Sequence, residues 1–199
     1  MVMKTKKLLV LFLILLLSFT SGACNARDSG AFSVNGLWVE KDELVYYMRE
    51  NTFKAAYELE TEYGLDSAAD DFWTQVYPSV TPFDYLKEYS VKEIVRIKAQ
   101  QLWAKQNGIL TPLYYSEQVK ANKTENAKRK KAEANGEIVY GTTERIFSIY
   151  FTDLYLGMKA SMREKLQLTD EQYEKTVDGL VKDAEIVYKD TRITVKEIF

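Results

Sequence analysis

One long segment, bounded by Thr81 and Gly108, carries the sequence pattern of a buried α-helix. Thr81 is suited to cap the helix, Pro82 fits its first turn, and Asp84 lies where the helix dipole is positive. The apolar residues of this segment fall on more than one helical face: Phe83, Leu86, Val91, Ile94, Val95, Ile97, Leu102 and Trp103. A helix that is apolar on several faces must be surrounded by other elements, so we expect it at the centre of a mostly helical domain.

Further helices are predicted on both sides of this central one. A single apolar stripe runs from Asp42 to Tyr63, and Gly64 is placed to end that helix. Thr169 and Gln172 have the spacing of a capping box, which predicts a last helix that ends near residue 182. The other predicted helices cover residues 67–76, a polar segment that begins at residues 111–112, and residues 143–166.

Short extended segments are predicted at the two ends of the domain. Residues 31–39 alternate around Asn35-Gly36, a strong hairpin turn signal. Residues 184–188 have the pattern of a strand, and residues 192–199 alternate weakly as another. The predicted fold is therefore a mostly α, single helical domain of about five to six helices, with a small β arm formed by pairing of the N-terminal and C-terminal ends.

The first 23 residues have the pattern of a secretory signal peptide. Three lysines lie near the N-terminus, ten apolar residues follow from Leu8 to Leu17, and small residues precede Cys24. The apolar run is about half the length of a bilayer-spanning helix, which needs about 20 residues. We expect the segment 1–23 to be removed and the remaining chain to be exported.

Cys24 is the only cysteine of the chain, and it lies where signal cleavage is expected. The preceding residues Ser21, Gly22 and Ala23 resemble a bacterial lipobox, in which the cysteine receives diacylglycerol and becomes the new N-terminus. We therefore predict lipidation of Cys24 and a short tether over residues 24–30. Ordinary cleavage after Ala23, which would release an unanchored protein, is the alternative.

Composition excludes several classes of function. The chain has no histidine, which removes serine-histidine triads, cysteine-histidine pairs and histidine-based zinc sites. No phosphate-binding glycine loop and no EF-hand loop is present. The formal charge is −2 and becomes −5 once the signal lysines are lost, which gives no general reason to bind nucleic acid. We predict no catalytic residues, no metal site and no cofactor.

Charge is divided along the chain. Residues 40–88 are strongly acidic, whereas residues 89–131 are basic. One interpretation is that the two segments pack side by side and complement each other. The other is that the basic stretch from Lys120 to Lys131 contacts an acidic partner such as an anionic polymer or lipid headgroups.

Three stretches, in their order along the chain, resemble the N-terminal domain of SurA-type chaperones and PrsA-type foldase lipoproteins. They are VNGLWVEKDEL at residues 34–44, TPFDYLKEYSVKEIVRIKAQQLWAKQNGI at residues 81–109, and LVKDAEIVYKD at residues 180–190. The lipobox precedes them, as it does in the foldase lipoproteins. Glu40 departs from the family pattern, which often has serine or threonine there as a helix cap.

The resemblance implies one helical domain at residues 31–199 that holds unfolded or nascent exported polypeptides. It does not imply prolyl isomerase activity, because the parvulin module that supplies this activity contains histidines and this chain has none. The expected protein is a non-enzymatic, chaperone-like lipoprotein anchored at the extracytoplasmic face of a bacterial membrane. A structural or regulatory envelope lipoprotein that docks one specific protein partner is the alternative function.

Tyrosine is the residue type that best fits adaptable binding of polypeptides here. The chain has 14 tyrosines, and each ring offers a large apolar surface with a polar tip at low entropic cost. Adjacent tyrosines on a helix cannot both face one core, so part of this surface is expected to be exposed. The candidate peptide-binding residues are Tyr46, Tyr47, Tyr114, Tyr115, Tyr150 and Tyr155. The alternative for each is that its ring seals an edge of the core.

Overall fold

The computed structural model describes residues 30–78 and 80–199, which form six α-helices and three β-strands. The helices are α1 (Lys41–Tyr63), α2 (Pro82–Gln106), α3 (Tyr115–Ala134), α4 (Phe147–Leu166), α5 (Asp170–Lys182) and α6 (Val195–Ile198). The strands are β1 (Gly30–Val34), β2 (Leu37–Glu40) and β3 (Ile186–Tyr188). The expected mostly helical fold with a small β element is confirmed. The predicted signal peptide and the lipidation site at Cys24 lie outside the described residues.

The three strands form one antiparallel sheet in the order β2-β1-β3, so the N-terminal hairpin pairs with a strand close to the C-terminus. Asn35 and Gly36 connect β1 to β2 with φ angles of 49° and 79°, the left-handed conformation that this turn requires. Asn35 also links the hairpin to the other end of the chain, because its Oδ1 accepts a hydrogen bond of 2.8 Å from the Glu185 N–H.

The main core lies between the sheet, α1 and α2. It contains Phe32, Val34 and Val39 from the sheet, Leu44, Met48 and Ala55 from α1, and Leu86, Ile94 and Val95 from α2. Helix α2 contacts α1, α5 and β1, which confirms its predicted central position. Gly64 ends α1 in the left-handed conformation: its N–H donates to the carbonyl oxygen of Glu60, and the N–H of Leu65 donates to that of Leu59.

A second, smaller core joins α4 and α5 to the C-terminal half of α2. Its buried residues are Ala104, Met158, Met162, Tyr173 and Val177. The buried Tyr173 hydroxyl donates to Gln100 Oε1 at 2.8 Å. Trp103 packs at the edge of this cluster, 5.3 Å from the Tyr173 ring, and is half-buried.

The helix predicted over residues 67–76 is wrong, because this segment forms successive turns. Ala69 N–H donates to Asp66, Phe72 N–H donates to Ala69, and Thr74 N–H donates to Asp71, each to a carbonyl oxygen three residues earlier. The Asp66 carboxylate also accepts from Ala68 N–H, which offers the backbone an alternative to the helical ladder. Burial of Phe72 holds the turns against the domain.

The strand predicted over residues 192–199 is also wrong, because residues 195–198 form the short helix α6. The Glu197 carboxylate accepts hydrogen bonds from the N–H of Thr194 at 2.7 Å and from its hydroxyl at 2.9 Å, the arrangement of a helix cap. Arg49 on α1 donates to the carbonyl oxygens of Glu197 and Ile198. The alternating pattern that predicted a strand comes from apolar residues such as Ile193 and Ile198. Both are buried in the core, although the backbone here does not form a strand.

Two helices begin later than the sequence predicts. Helix α3 begins at Tyr115, because the Glu117 carboxylate accepts from the N–H groups of Leu113 and Tyr114 and keeps those residues outside the helix. Helix α4 begins at Phe147 instead of Thr143, because Asn126 on α3 pairs with both the N–H and the carbonyl oxygen of Arg145. In both cases a side chain claims backbone groups that a longer helix would have used.

Candidate functional site

A cleft lies between α1, α2 and α4, and we refer to it as the aromatic cleft. Its volume is about 440 Å³. Helix α1 contributes Tyr46, Tyr47, Glu50, Asn51 and Lys54, α2 contributes Glu93, Arg96 and Ile97, and α4 contributes Ser148, Phe151, Thr152, Tyr155 and Leu156. Helices α1 and α2 pack directly on each other, whereas large aromatic side chains fill the space between this pair and α4.

Six aromatic rings form a continuous wall, of which four line the cleft and two, Phe147 and Tyr115, extend it beyond the cleft. The ring of Phe147 lies 5.1 Å from the rings of both Tyr46 and Tyr115, and Tyr46 contacts Tyr47 at 5.3 Å. The wall continues from Tyr47 to Phe151 at 6.2 Å and from Phe151 to Tyr155 at 6.0 Å. Edge-to-face and offset pairs at these distances stabilise one another beyond their buried area, so the wall is a built feature of the fold.

The polar groups of the cleft are already partly engaged within the protein. Asn51 Nδ2 donates to Glu93 Oε2 at 2.5 Å, which joins α1 to α2 on the cleft floor. The Arg96 guanidinium pairs with Glu174 at 2.6 Å and Asp178 at 2.7 Å, so its charge is directed towards α5. Glu50 and Lys54 supply further charge at the side of α1. The cleft therefore offers aromatic surface with a rim of mixed charge, two acidic and two basic residues.

The tyrosine hydroxyls of the cleft are held in their neutral form. Burial, together with the Glu50 carboxylate, raises the pKa of Tyr46, and burial with Glu43 and Glu93 raises the pKa of Tyr47. Burial also raises the pKa of Tyr155. A phenol whose pKa is raised cannot act as a base or nucleophile near neutral pH, but it remains a hydrogen-bond donor. The neutral hydroxyls can therefore donate hydrogen bonds to a bound ligand.

Four of the six predicted peptide-binding tyrosines belong to the aromatic wall. Tyr46, Tyr115 and Tyr155 are half-buried, while Tyr47 is buried. The expectation that Tyr46 and Tyr47 would not share one core holds only in part, because Tyr115 and Phe147 cover the outer side of Tyr46.

The other two predicted tyrosines lie elsewhere. Tyr150 lines a separate cavity of about 530 Å³ between α3 and α4, together with Lys120, Lys128 and Arg145. Tyr114 immediately precedes α3 and contacts no other ring among the residues that the structure describes. The structure does not bring these two tyrosines to the aromatic cleft.

Two residues of the site, Phe147 and Phe151, were not among the predicted site residues. Both lie in the segment predicted as helical, residues 143–166, and the spacing from Phe147 to Phe151 and from Phe151 to Tyr155 is four residues. That spacing places the three rings on one face of α4. An aromatic face on α4 opposite the tyrosine pair of α1 is the signal from which the cleft could have been found.

Part of the basic stretch from Lys120 to Lys131 is used inside the protein. Arg129 donates to the carbonyl oxygens of Tyr140 and Thr142, and Lys130 pairs with Glu144 at 2.9 Å. These contacts fasten the connection between α3 and α4. Complementarity between the acidic and basic segments includes one buried ion pair, between Glu43 on α1 and Lys98 on α2.

Glu40 has a role that the family pattern did not predict. Its carboxylate accepts hydrogen bonds from the N–H of Ser116 at 2.7 Å and from the Ser116 hydroxyl at 2.6 Å. Glu40 directly precedes α1 without capping it, and instead supports the first turn of α3, where a negative charge is favourable. This contact fixes α3, and with it Tyr115, against the end of β2.

The described part of the chain offers no metal centre, since no group of three or more acidic, cysteine or histidine side chains is arranged to hold an ion. Over the same residues, no helix is long and apolar enough to cross a membrane. A comparison with family models, curated proteins and solved structures finds no match to this chain.

Proposed function

We propose that this chain is a lipid-anchored, chaperone-like protein that binds unfolded or nascent exported polypeptides in the aromatic cleft. The observation that carries the proposal is the cleft itself, in which Tyr46 and Tyr47 from α1 and Phe151 and Tyr155 from α4 line one concave surface. Concave sites that combine aromatic rings with polar groups at defined positions are typical of ligand-binding sites.

Exposed apolar side chains at the cleft support the proposal. Leu156 lies on the rim of the cleft and is 56% exposed. Most of its side chain therefore contributes nothing to the core and is open to a ligand. On the neighbouring outer face of α1, Phe53 is 80% exposed. An apolar client segment that leaves the cleft would find additional apolar surface at these positions.

Half-buried tyrosines fit clients of varied sequence. Their rings accept any apolar side chain, and their neutral hydroxyls donate to backbone carbonyl oxygens, which every unfolded polypeptide presents. This chemistry requires no catalytic group, in agreement with a chain that has no histidine. We propose no prolyl isomerase activity. The resemblance to foldase lipoproteins is interpreted as a resemblance to the domain with which those proteins hold polypeptides.

The test compares two substitutions on the same helix. Leu156→Glu places a charge on the cleft rim, whereas Ile149→Glu places the same charge at a residue that is 50% exposed and does not line the cleft. The probe is a labelled, permanently unfolded polypeptide, such as a reduced and alkylated secretory protein, titrated by fluorescence anisotropy. We expect Leu156→Glu to weaken binding about tenfold and Ile149→Glu to change it less than about twofold.

Equal losses in the two variants, or none in either, would exclude the aromatic cleft as the binding surface. Capture of one stoichiometric partner, with no affinity for the unfolded probe, would favour the alternative of an envelope lipoprotein that docks one protein. Melting temperatures of both variants check that the helix is intact.

A further inference from the structure

We propose that the outer edge of β3 is a second docking site, which takes an extended polypeptide segment as a fourth strand of the sheet. This site is distinct from the aromatic cleft, which lies between α1, α2 and α4. It is formed by backbone groups of β3 and by the apolar groove beside them on α2.

Strand β3 lies at the edge of the sheet, and within the described residues no strand pairs with its outer side. The Asn35 N–H donates to Glu185 O at 2.9 Å, and the Lys189 N–H donates to Ala31 O at 2.9 Å. Because backbone direction alternates along a strand, Val187 also faces β1, whereas the N–H and carbonyl groups of Ile186 and Tyr188 point away from it. Two residues thus present hydrogen-bonding groups at the edge.

A groove of about 520 Å³ runs beside this edge. Its apolar lining consists of Val91 and Val95 from α2, Val181 from α5, and Ile186 and Tyr188 from β3. Ile186 and Tyr188 are directly opposite Val34 and Phe32 on β1, so they share the face of the sheet that covers the core. They are nevertheless 36% and 60% exposed, because nothing continues the sheet beyond them in the described structure.

An extended segment added to β3 would therefore meet two complementary features at once. Its backbone would pair with the outward groups of Ile186 and Tyr188, and every second side chain would enter the groove above Val91 and Val95. An α-helix or a compact surface offers no unpaired backbone groups, so these features select an extended polypeptide. Alternate apolar residues are the side-chain pattern that the groove selects.

The charges at the groove add a preference for acidic segments. The groove is lined by Lys87 and Lys92 against one carboxylate, Glu88. Lys87 contacts Asp84 at 3.3 Å, whereas Lys92 makes no ion pair with any residue that the structure describes. A segment with an acidic residue next to its apolar positions would find Lys92 available.

The first experiment uses the full chain and a short labelled peptide of alternating valine and threonine that ends in aspartates. Two backbone-methylated forms of the peptide carry N-methyl groups on alternate amides, one form on each edge of the strand. Only one edge can face β3, so we expect one form to lose at least about tenfold in affinity and the other to bind within about twofold of the parent. Equal affinities of the two forms would overturn the proposal.

The second experiment changes the protein. Ile186→Pro removes an outward N–H and leaves the amides that pair with β1, whereas Ile186→Ala removes only the side chain. We expect Ile186→Pro to weaken peptide binding about tenfold relative to Ile186→Ala. Equal binding by the two folded variants would show that the N–H is not used and would overturn strand addition. If Ile186→Pro lowers the melting temperature sharply, the methylated peptides tested on the unaltered chain decide the matter.

A charge exchange tests the acidic preference, and a cleft variant separates the two sites. Lys92→Glu should weaken binding about fivefold, and replacement of the peptide aspartates by lysines should restore it.

Leu156→Glu should leave peptide binding unchanged. If Leu156→Glu weakens peptide binding instead, the peptide occupies the aromatic cleft, and the β3 site is overturned while the proposed function stands. Dimerisation of the chain through β3 in place of peptide binding, seen by sedimentation, would also overturn it.

Discussion

Lys98 Nζ lies 2.8 Å from Glu43 Oε1, and both side chains are withdrawn from solvent at the contact between α1 and α2. Lys98 Nζ also donates to Leu113 O at 2.5 Å, which ties the segment before α3 to the same point. The second carboxylate oxygen of Glu43 is buried and has no hydrogen-bond partner in the protein. We expect this ion pair to fix how α1, α2 and the segment before α3 pack together, and to add little to the free energy of unfolding, because burying the two charges costs desolvation energy.

Loss of one member of this pair should cost more than loss of both. Lys98→Met leaves an unpaired buried carboxylate and should lower the free energy of unfolding by about 3–5 kcal/mol. Lys98→Met combined with Glu43→Leu should recover most of that loss, because an apolar pair needs no desolvation of charge. Urea denaturation of the parent, the single variants and the double variant measures both effects. A double variant less stable than Lys98→Met would contradict this expectation, because it would show that Glu43 stabilises the fold even without Lys98.

The same site predicts a dependence of stability on pH. Burial raises the pKa of the Glu43 carboxyl above its ordinary value of 4.5, and Lys98 opposes this shift. In Lys98→Met the opposing charge is gone, so the folded protein binds a proton at Glu43 more readily than the unfolded chain does. The contribution of Glu43 protonation to the stability of Lys98→Met is fully present below the pKa of Glu43 in the unfolded chain. It is lost as pH rises through the pKa of Glu43 in the folded protein. The deficit of Lys98→Met should therefore be smaller near pH 4.5 than near pH 7.

Two glycines should respond to alanine in opposite directions. Gly64 has a φ of 67° as the C-terminal cap of α1, so Gly64→Ala should destabilise by about 1 kcal/mol through backbone strain. Gly179 lies inside α5 with open space around its Cα, so Gly179→Ala should stabilise by about 0.5–1 kcal/mol. Thermal unfolding monitored by circular dichroism gives both values. Stabilisation by Gly64→Ala would contradict the assigned cap.

Trp103→Ala should be less damaging than truncation of a fully enclosed tryptophan. Trp103 is half-buried against Tyr173, so we expect a loss of about 2–3 kcal/mol, below the range of 3–5 kcal/mol typical of buried aromatic residues. Chemical denaturation measures the loss. Complete unfolding of the variant would show that the second core depends on Trp103 more than its exposure indicates.

Lipidation of Cys24 remains a prediction from the sequence. Cys24→Ala should leave the chain unprocessed or release it into the medium, because diacylglycerol transfer requires the thiol. Membrane fractionation and mass spectrometry of the N-terminus check this in a bacterial host. Equal membrane retention of a variant processed to the same size would contradict lipidation.

Helices with clear end signals could be predicted from the sequence. Gly64 and Thr169 define the ends of α1 and α5 through their own conformation or side chain, and these ends are confirmed. The starts of α3 and α4 were wrong because Glu117 and Asn126 compete for backbone groups at those points. The Glu117 contact is local and could have been recognised as a capping box at Tyr114, whereas the Asn126 contact depends on which residues meet in three dimensions.

The candidate site was predictable in its residue type but only partly in its members. Tyrosine pairs indicated an aromatic surface, and four of the six proposed tyrosines do lie together. The sequence could not show which of Tyr150 and Tyr155 faces the cleft. Their five-residue spacing places them on different sides of α4, and the pattern does not say which side faces α1. The packing of α4 against α1 decides that question.

The pairing of β1 with β3 sets when this protein can fold. The Asn35 N–H and the Glu185 carbonyl oxygen are separated by 150 positions, yet they meet at 2.9 Å. A chain that emerges N-terminus first from a ribosome, or threads through a narrow pore, presents β1 long before β3 is available. Contacts between such distant residues form slowly, since a long loop must close first. The sheet is thus completed only after residue 185 has become available, whereas the core between the N-terminal hairpin, α1 and α2 involves residues that appear much earlier.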